Sequence, residues 1–372
     1  MDLELSDEQV WLEESINTLL ERRWLAAESA WQAGEAERAR LWESLVEFGL
    51  LGGAGNDLGA IELCLVARAV GGHLAVVPLI GSVAVRYALA PFAAELPDDF
   101  RALQTSDARL AIGLLEPGGG WSPSGVRATV KDSRLTGTKA AVEHAAVVDY
   151  LVVVALVGAE PGLALVRRDS PGVEWGDQPA LDGAVPLSRV TFGDANTDAV
   201  LSGQLAQTII DRLISVGGLL AAAEAVGASA NIFSQAQSYA TERRQFGRTI
   251  GSNQALRHLM ADLHVRQASS WSTTLYAAAA LDEGIPGARL TGSVAKAYVS
   301  RSAREVAHGS IQVFGGIAFT EEHPAHRFLR RIILREQQFG DAAHHERELG
   351  RTLAATANAS ASASGINERV AA

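Results

Sequence analysis

Two stretches of the sequence are unusually rich in arginine, glycine and aromatic residue types that can take part in ligand binding. Residues 241–263 read TERRQFGRTIGSNQALRHLMADL, and residues 311–331 read IQVFGGIAFTEEHPAHRFLRR. An arginine fork presents planar pairs of N–H donors to phosphate oxygens, and glycine lets the backbone approach a ligand that larger side chains would obstruct. Each feature alone has a simpler interpretation, because an Arg-Arg pair at a helix end favours the helix dipole and a Gly-Gly pair after a helix is a common C-cap.

Other residue types that often carry chemistry are sparse. The single cysteine, Cys64, cannot form an intrachain disulfide or supply a cysteine-based metal cluster. His144, His344 and His345 lack the carboxylate–histidine spacing of a known zinc motif, so we interpret them as surface or loop histidines. The sequence therefore predicts no metal site.

Charge and hydropathy exclude two classes of partner. With 43 acidic and 32 basic side chains the chain carries a formal charge of −11, which argues against nucleic acid and anionic membrane surfaces as partners. The opening MDLELSDEQVW has two early acids and no apolar core, so no signal peptide is predicted. The most apolar long stretch, residues 213–223, is too short to span a bilayer. We expect a soluble, cytoplasmic protein.

The elements that must position these residues follow from local patterns. Ser6 and Gln9 resemble a helix capping box ahead of an apolar stripe, short Val-, Leu- and Thr-rich segments follow from about residue 110, and long Ala-rich helical patterns begin after residue 203. Helices of that length are most easily stabilised in a bundle. The predicted fold is therefore α+β and multidomain, with an N-terminal helical domain (1–109), a middle antiparallel β domain (110–203), a C-terminal four-helix-type bundle (204–353) and a flexible tail (354–372).

Taken together, the two stretches resemble the C-terminal domain of the acyl-CoA dehydrogenase family. Members of that family show an R-x-x-F-G turn and a Q-x-F-G-G loop at this separation. The resemblance extends over nearly the whole chain, from LSDEQVWLEESINTLL in the opening helix to LLEPGGGWS and LTGTKAAVEHAAVVDY in the β domain. It implies an FAD cofactor and α,β-dehydrogenation of an acyl-CoA thioester.

The resemblance also implies which residues contact the flavin. Arg243, with Phe246 and Gln254 nearby, matches residues that reach the pyrophosphate and ribityl region, and a glycine loop matches the segment that approaches the adenine end. In the family these contacts are made to the flavin of the neighbouring subunit. The implied cofactor-binding residues of the loop are Gln312, Val313, Gly315 and Gly316.

The positions that would hold the chain's own flavin ring depart from the family pattern. In the first β-domain motif, T-E-P-x-x-G-S-D, the Thr and Ser hydroxyls are replaced by Leu115 and Trp121. In the second, G-x-K-x-W-I-T-N, the Trp and Thr are replaced by Ala141 and Glu143. Both changes disfavour binding of a flavin ring. The ring loses an aromatic packing partner, and it gains a carboxylate neighbour although it becomes anionic on reduction. We expect the hairpin to be retained and the ring site to be lost.

The catalytic base is missing as well. The family's reaction removes an α-proton while a β-hydride passes to flavin N5, so a carboxylate must reach the α-carbon. Most members carry it in Y-E-G-T, and alignment from residue 328 onward puts Phe339 at the Tyr and Gly340 at the Glu. The sequence therefore predicts no catalytic residue at the usual position.

Two aspartates are weak substitutes for the base. Asp341 lies one place along, and Asp211, within Ile-Asp-Arg-Leu, matches the L-E-R-L position used by a minority branch but has a shorter side chain. Asp211 next to Arg212 is also an ordinary ion-pair candidate. In addition, GGAGNDLGA (52–60) is compressed relative to the family segment around P-E-x-x-G-G, which shapes the acyl pocket.

The departures from the family pattern fall on one side of the expected flavin site. Residues for the chain's own ring and substrate are degraded, whereas those for a neighbour's flavin are retained. We therefore predict a non-catalytic subunit, inactive alone, of a heteromeric FAD-dependent acyl-CoA dehydrogenase. It would complete a partner's FAD in an α2β2 assembly with one FAD per αβ pair. By resemblance to actinobacterial enzymes of sterol side-chain degradation, the substrate is a bulky acyl-CoA such as a steroid thioester.

Two alternatives stay open from the sequence. One is an autonomous homotetrameric dehydrogenase that uses Asp211 or Asp341 as base with divergent flavin contacts. The other is a flavin-free acyl-CoA-binding or scaffold protein. The autonomous enzyme would be yellow when purified alone, whereas the binding protein would be colourless with or without a partner.

Overall fold

The N-terminal part of the chain is helical. The computed structural model describes residues 3–25, 29–51 and 58–370. The predicted capping box is present: Gln9 N–H donates to Ser6 Oγ and Ser6 N–H donates to Gln9 Oε1. The helices of this part are α1 (Asp7–Arg23), α2 (Glu35–Glu47), α3 (Ala60–Gly72), α4 (Leu79–Leu89) and α5 (Asp98–Ala102).

The middle of the chain is a mixed eight-stranded sheet. Its strands are β1 (Leu110–Gly113), β2 (Thr129–Lys131), β3 (Arg134–Glu143), β4 (Tyr150–Val157), β5 (Glu160–Arg167), β6 (Val173–Asp177), β7 (Leu187–Asn196) and β8 (Ala199–Leu201). The order is β6-β7-β3-β2-β4-β5-β8, with β1 also paired to β4. Strand β4 is apolar throughout because alternate residues face two cores: Val152 and Val154 one, Leu151 and Val153 the other.

The prediction of an antiparallel sheet is wrong at two pairs. Strand β1 is parallel to the first half of β4, and β2 is parallel to its end, while the other pairs of this sheet are antiparallel. Parallel neighbours need a crossover connection rather than a tight hairpin. The side-chain pattern of a strand indicates which faces are buried but carries no information on direction.

The C-terminal part is a helical bundle built around α6. Its elements are α6 (Gly203–Glu242), the short hairpin β9 (Arg244–Gln245) and β10 (Arg248–Thr249), α7 (Gln254–Asp282), α8 (Ala288–Phe314), α9 (Ala325–Gln337) and α10 (Ala342–Val370). Small residues let α6 pack very closely on α3. A Cβ added at Gly71 would lie 1.9 Å from the Glu224 carbonyl oxygen, and one at Gly227 would lie 1.8 Å from that of Arg68.

Helix α6 is longer and more apolar than the sequence indicated. It has 40 residues, far more than the 11-residue run seen in the sequence, and it is long and apolar enough to cross a membrane by composition. However, 83% of its most apolar window is buried inside the protein. Its packing against α3 and α8 accounts for its composition, as expected for the core helix of a globular protein.

Helix α10 differs from the predicted tail. The helix continues to Val370, through most of the segment for which the sequence predicts flexibility. Alanine has the highest helix propensity, and this segment is rich in alanine, which favours the helix; the flexibility of the tail stays a prediction. Strands β1 to β8 lie between Leu110 and Leu201, but the division into domains stays a prediction. Of the compressed segment 52–60, residues 52–57 lie outside the described residues.

Candidate functional site

The R-x-x-F-G stretch folds into a two-residue hairpin at the end of α6. Strands β9 and β10 pair with Gln245 opposite Arg248, and the turn residues Phe246 (φ 50°) and Gly247 (φ 78°) both have positive φ. Such a turn matches the twist of a hairpin but is unusual for phenylalanine. The Phe246 ring is fully exposed, so nothing within the described chain accounts for an apolar side chain at this position.

Arg243 is an uncommitted cation beside this hairpin. Its backbone N–H caps α6 by donating to Tyr239 O (2.9 Å), and its carbonyl accepts from Ile250 N–H (2.8 Å). Its exposed guanidinium makes no hydrogen bond or ion pair with the residues that the structure describes. Gln254 is the first residue of α7, and its Nε2 lies 3.1 Å from Nε2 of His258 at the surface.

The glycine loop follows the end of α8. Gly315 has φ 68°, a conformation that favours glycine, and it begins a 3₁₀ turn. Gly316 has no such φ, and a Cβ there would meet no atom within 4 Å. The chain's own packing therefore does not require glycine at 316, which fits the approach of something outside the chain. Gln312 is exposed, whereas Val313 is buried and can offer only its backbone.

Aromatic contacts bring the hairpin and the loop to the same end of the bundle. The rings of Tyr239 and Phe314 lie 5.4 Å apart, and those of Phe314 and His323 lie 4.4 Å apart. These rings tie the last turn of α6 to the last turn of α8. We call the exposed region formed here by Arg243, Phe246, Gln312 and Gly316 the bundle-end surface. An arginine at the C-terminus of α6 is also favoured by the helix dipole.

The positions that match the family's flavin-ring contacts surround a very small space. Leu115, Trp121, Ala141, Glu143 and Phe339 are among the residues that line a cavity of about 40 Å³, which we call the ring-site cavity. Ligand pockets usually measure about 300–1,000 Å³, and this one has room for about three water molecules. Trp121 and Phe339 fill it by stacking with their centroids 5.7 Å apart and their planes at 30°.

Five largely buried side chains of alternating charge, which we call the charge chain, extend from Glu143 at the ring-site cavity. Asp182 Oδ2 lies 2.6 Å from Arg331 Nε, Arg331 lies 3.0 Å from Glu224, and Glu224 lies 2.9 Å from Arg335 Nε. Arg335 is also ion-paired with Glu143. Burial alone would raise the pKa of Glu143, but the Arg335 charge outweighs it and holds that pKa below its usual value. This charge chain joins the sheet to α6 and α9.

The usual base position cannot carry a side chain. Gly340 has φ 101°, and a Cβ there would lie 2.4 Å from Cδ2 of His344. Phe339, one residue earlier, is packed on Trp121. Neither of these two residues can accept a proton.

Both substitute aspartates have structural partners. Asp341 Oδ1 accepts from His344 N–H (2.8 Å) and so caps α10. Asp211 is half-exposed and pairs with Arg289 (3.3 Å) on α8, rather than with its neighbour Arg212, whose guanidinium lies over the Tyr87 ring. Asp211 does not line the ring-site cavity.

The histidines and one lysine were misjudged or missed in the sequence. His144 lies in a turn after β3, as predicted, but it is buried, and His345 is buried within α10 rather than in a loop or on the surface; burial lowers the pKa of each to about 4. Lys296 is buried, and its Nζ donates to Arg335 O (2.9 Å), Glu336 O (2.8 Å) and Ser300 Oγ (3.2 Å) at the end of α9. Burial lowers its pKa to about 7. Its position within an Ala- and Val-rich helical pattern was the available signal.

Comparison with known proteins identifies the class of protein that this chain resembles, the acyl-CoA dehydrogenases. Residues 208–354 match the model of the acyl-CoA dehydrogenase C-terminal domain. The acyl-CoA dehydrogenase FadE27 of Mycobacterium tuberculosis is 28% identical over 331 residues, which cover 85% of this chain and 88% of that protein.

Two similar solved structures are complexes or steroid enzymes by their descriptions. The chain matches the ChsE4–ChsE5 complex from Mycobacterium tuberculosis with a TM-score of 0.84 and 26% identity, covering 95% of this chain and 99% of that one. It matches the Tcur3481–Tcur3483 steroid ACAD with the same TM-score, identity and coverage. The predicted architecture of a helical N-terminal part, a central sheet and a helical C-terminal part is confirmed, with the sheet mixed rather than antiparallel.

Proposed function

We propose that this chain is the non-catalytic subunit of a heteromeric, FAD-dependent acyl-CoA dehydrogenase. The observation that carries the proposal is the contrast between the filled ring-site cavity and the uncommitted bundle-end surface. The residues that line the cavity pack on one another as in a protein core. The exposed side chains of the bundle-end surface make few contacts with the described part of the chain. Similarity to acyl-CoA dehydrogenases supplies the expected cofactor class.

The residues around the ring-site cavity do not fit a flavin ring. Only about 40 Å³ of empty space is left between the stacked Trp121 and Phe339 and the other lining residues. Glu143 would add a second negative charge beside a reduced ring, and moving it aside would leave Arg335 without that partner. We therefore derive no step of the reaction at this cavity.

The bundle-end surface does fit the phosphate and adenine end of FAD. Arg243 offers a free guanidinium for phosphate oxygens, and Gly316 offers backbone without a Cβ. The exposed Phe246 ring and the Gln312 side chain offer an apolar and a polar contact beside them. FAD bound there would supply a hydride acceptor whose ring lies on the partner chain. The role of this chain's residues is to bind and orient its non-reacting end.

Proton removal must then come from the partner. Phe339 and Gly340 carry no acceptor, Asp341 caps a helix, and Asp211 is committed to Arg289. A general base has to lie within hydrogen-bond reach of the proton that it abstracts. No carboxylate of this chain at these positions meets that requirement, which supports placing the base on the other subunit.

Exposed apolar residues support a partner on the bundle. The side chains of α7, α8 and the following loop include several that are more than one-third exposed, which is costly unless a partner covers them. They are Val265, Tyr276, Val294, Tyr298, Ile317 and Phe319. We propose an α2β2 assembly with one FAD per αβ pair. The ChsE4–ChsE5 complex and the steroid ACAD among its structural relatives support a heteromer and a bulky, steroid-like acyl-CoA.

Coexpression tests the proposal. Expressed alone, the chain is expected to be colourless, and coexpressed with a complete dehydrogenase subunit it is expected to copurify as a yellow species of equal stoichiometry. Size-exclusion chromatography with mass measurement and flavin quantitation distinguishes the outcomes. A homotetramer with one flavin per chain and turnover of an acyl-CoA would reject the proposal. A chain that stays colourless with every partner but binds acyl-CoA would favour the flavin-free alternative.

A further inference from the structure

Several arginines surround the hairpin at the end of α6, and only one of them is proposed to contact FAD. Residues 243–258 hold four arginines and one histidine and no acidic residue, although the chain as a whole carries a formal charge of −11. Arg243 is the proposed FAD contact. We call the other three, Arg244, Arg248 and Arg257, the hairpin arginines, and all of them are exposed.

The described part of the chain does not neutralise the hairpin arginines. Arg244 Nη2 donates to Gly247 O (3.2 Å), and Arg257 Nε donates to Gly251 O (2.9 Å). These carbonyl groups hold the two guanidinium groups in place but carry no formal charge. Arg248 makes no hydrogen bond or ion pair with the residues that the structure describes.

Arg257 occupies an electrostatically unfavourable position within the chain alone. It lies in the first turn of α7, where the positive end of the helix dipole favours acidic residues, and that turn has none. The carboxylates nearest along the chain, Glu242 and Asp262, are exposed and form no ion pair with the hairpin arginines among the described residues. Sequences usually depart from such a local preference where function requires it.

A single bound phosphate group cannot compensate the charges on both sides of the hairpin. The register pairs Arg248 with Gln245 and Arg244 with Thr249. Because side chains alternate between the two faces of a strand, Arg244 and Arg248 lie on opposite faces of the hairpin. A protein surface that surrounds the hairpin, in contrast, can supply carboxylates to both faces.

We propose that the hairpin arginines dock on an acidic surface of the partner dehydrogenase subunit, on both sides of the exposed Phe246. This inference rests on the proposed function and adds the chemistry of the partner, which is a set of carboxylates around the site that receives the hairpin. Exposed charges of this kind act on the rate of association and on the salt dependence of an interface. The simpler interpretation, three solvated arginines, predicts no greater salt dependence than arginines elsewhere on the surface would give.

The salt dependence of the copurified heteromer tests this surface. Its dissociation constant is measured by mass photometry, with FAD in excess, from about 0.01 M to about 1 M NaCl, over which the screening length falls from about 30 Å to about 3 Å. The constant is expected to rise at least about tenfold over this range, because the interfacial charges become screened. A heteromer that stays equally associated at every salt concentration overturns the proposal.

A triple variant removes the three charges without removing the proposed FAD contact. Arg244→Gln, Arg248→Gln and Arg257→Gln combined should raise the dissociation constant about tenfold at the lowest salt concentration and abolish most of its salt dependence. Lysine at the same three positions keeps the charge and should restore both properties. An unchanged constant in the glutamine variant, or no recovery with lysine, would overturn the proposal.

Three exposed arginines on other elements provide the matched control. Arg23→Gln on α1, Arg189→Gln on β7 and Arg347→Gln on α10 combined remove the same charge and should leave the dissociation constant near that of the unmodified heteromer. Equal effects of the two triple variants would attribute the salt dependence to net charge and reject the docking surface.

Flavin per αβ pair and nucleic-acid binding separate the remaining outcomes. A heteromer that forms and retains flavin but responds equally to both triple variants rejects the acidic surface and leaves the proposed function standing, whereas failure to form any heteromer rejects both. A basic hairpin would also suit a nucleic acid, although the net charge of the chain disfavours one. Salt-dependent binding of a fluorescent oligothymidine that only the hairpin-arginine variant loses, with an unchanged dissociation constant of the heteromer, would overturn the proposal in favour of that partner.

Discussion

The ring-site cavity and the bundle-end surface match two sets of flavin contacts in the family that this chain resembles, yet their residues have opposite character. In the cavity, Trp121, Phe339 and Glu143 all have partners within the chain. At the bundle end, Arg243 and Phe246 face solvent, and glycine at 316 is unexplained by the chain's own packing. The proposed function predicts this contrast, because the first set would serve the chain's own flavin ring and the second a partner's FAD. The comparison shows that polar and aromatic side chains lining a small cavity can find all their partners within the same chain, which leaves no space for a ligand.

The largest expected effect comes from breaking the charge chain at its centre. Glu224→Ala would leave Arg331 and Arg335 buried with one fewer counter-charge each, which typically costs about 3–5 kcal/mol in the free energy of unfolding. Urea unfolding of both proteins measures it. Asp211→Ala, which breaks the half-exposed pair with Arg289, is the control and should cost less than about 1 kcal/mol. Equal losses of unfolding free energy in the two variants would contradict the idea that the buried charge chain stabilises the fold.

The closed region should also make the protein sensitive to acid. Burial lowers the pKa of His144 and His345 to about 4 from an ordinary 6.5, so between these values the unfolded chain binds protons that the folded chain does not. The free energy of unfolding therefore falls as pH drops from 6.5 to 4, by up to about 1.4 kcal/mol per pH unit for each histidine.

Denaturant unfolding across this pH range measures the effect. His345→Gln removes the titrating ring. The slope of the unfolding free energy against pH should therefore fall by the equivalent of about one proton. The exposed His308→Gln is the matched control for the substitution. An unchanged slope in His345→Gln would show that this buried histidine does not contribute.

The open region is tested by Arg243→Ala. Loss of a charge-assisted contact to phosphate should cost about 1.5–3 kcal/mol and lower FAD retention in the coexpressed complex roughly ten- to a hundredfold. Flavin per αβ pair after dialysis gives the measurement. Arg266→Ala, whose side chain pairs with Glu305 on the bundle surface, is the control. Full flavin occupancy in a well-folded Arg243→Ala complex would reject this arginine as a ligand.

The smallest effect is expected where the sequence offers a substitute base. Asp211→Asn and Asp341→Asn should each leave turnover of the assembled enzyme nearly unchanged, because both carboxylates have structural partners. A general base typically contributes about 10²–10⁴-fold, so steady-state rates separate the cases easily. A drop of that size with flavin still bound would place the base on this chain and favour the autonomous enzyme.

Much of the fold was predictable from local pattern. The capping box at Ser6, the strand-rich middle and the long helices each follow from periodicity and turn residues that act within a few positions. Strand direction and the continuation of α10 were not predictable. The first depends on how a loop crosses over, and the second on alanine propensity outweighing a polar composition.

The site was predictable in part. The sequence identified Leu115, Trp121, Ala141 and Glu143 as departures from the family pattern, but it could not indicate which residues of the folded chain would contact them. The stack of Trp121 on Phe339 joins residues more than 200 positions apart, and the charge chain joins five residues from the sheet and two helices. Such partners are chosen by tertiary packing, so no local signal specifies them.

The alternation of charge in Asp182–Arg331–Glu224–Arg335–Glu143 has a consequence for which substitutions the fold can accept. Changing Glu143 to threonine would remove one of the two carboxylates that face Arg335, and removing Arg335 would leave Glu143 without its ion-pair partner. Either single change is expected to lower the free energy of unfolding, because a buried ion that loses a counter-charge is costly. Position 143 is therefore coupled to position 335, and a neutral side chain at one is best accommodated together with a change at the other.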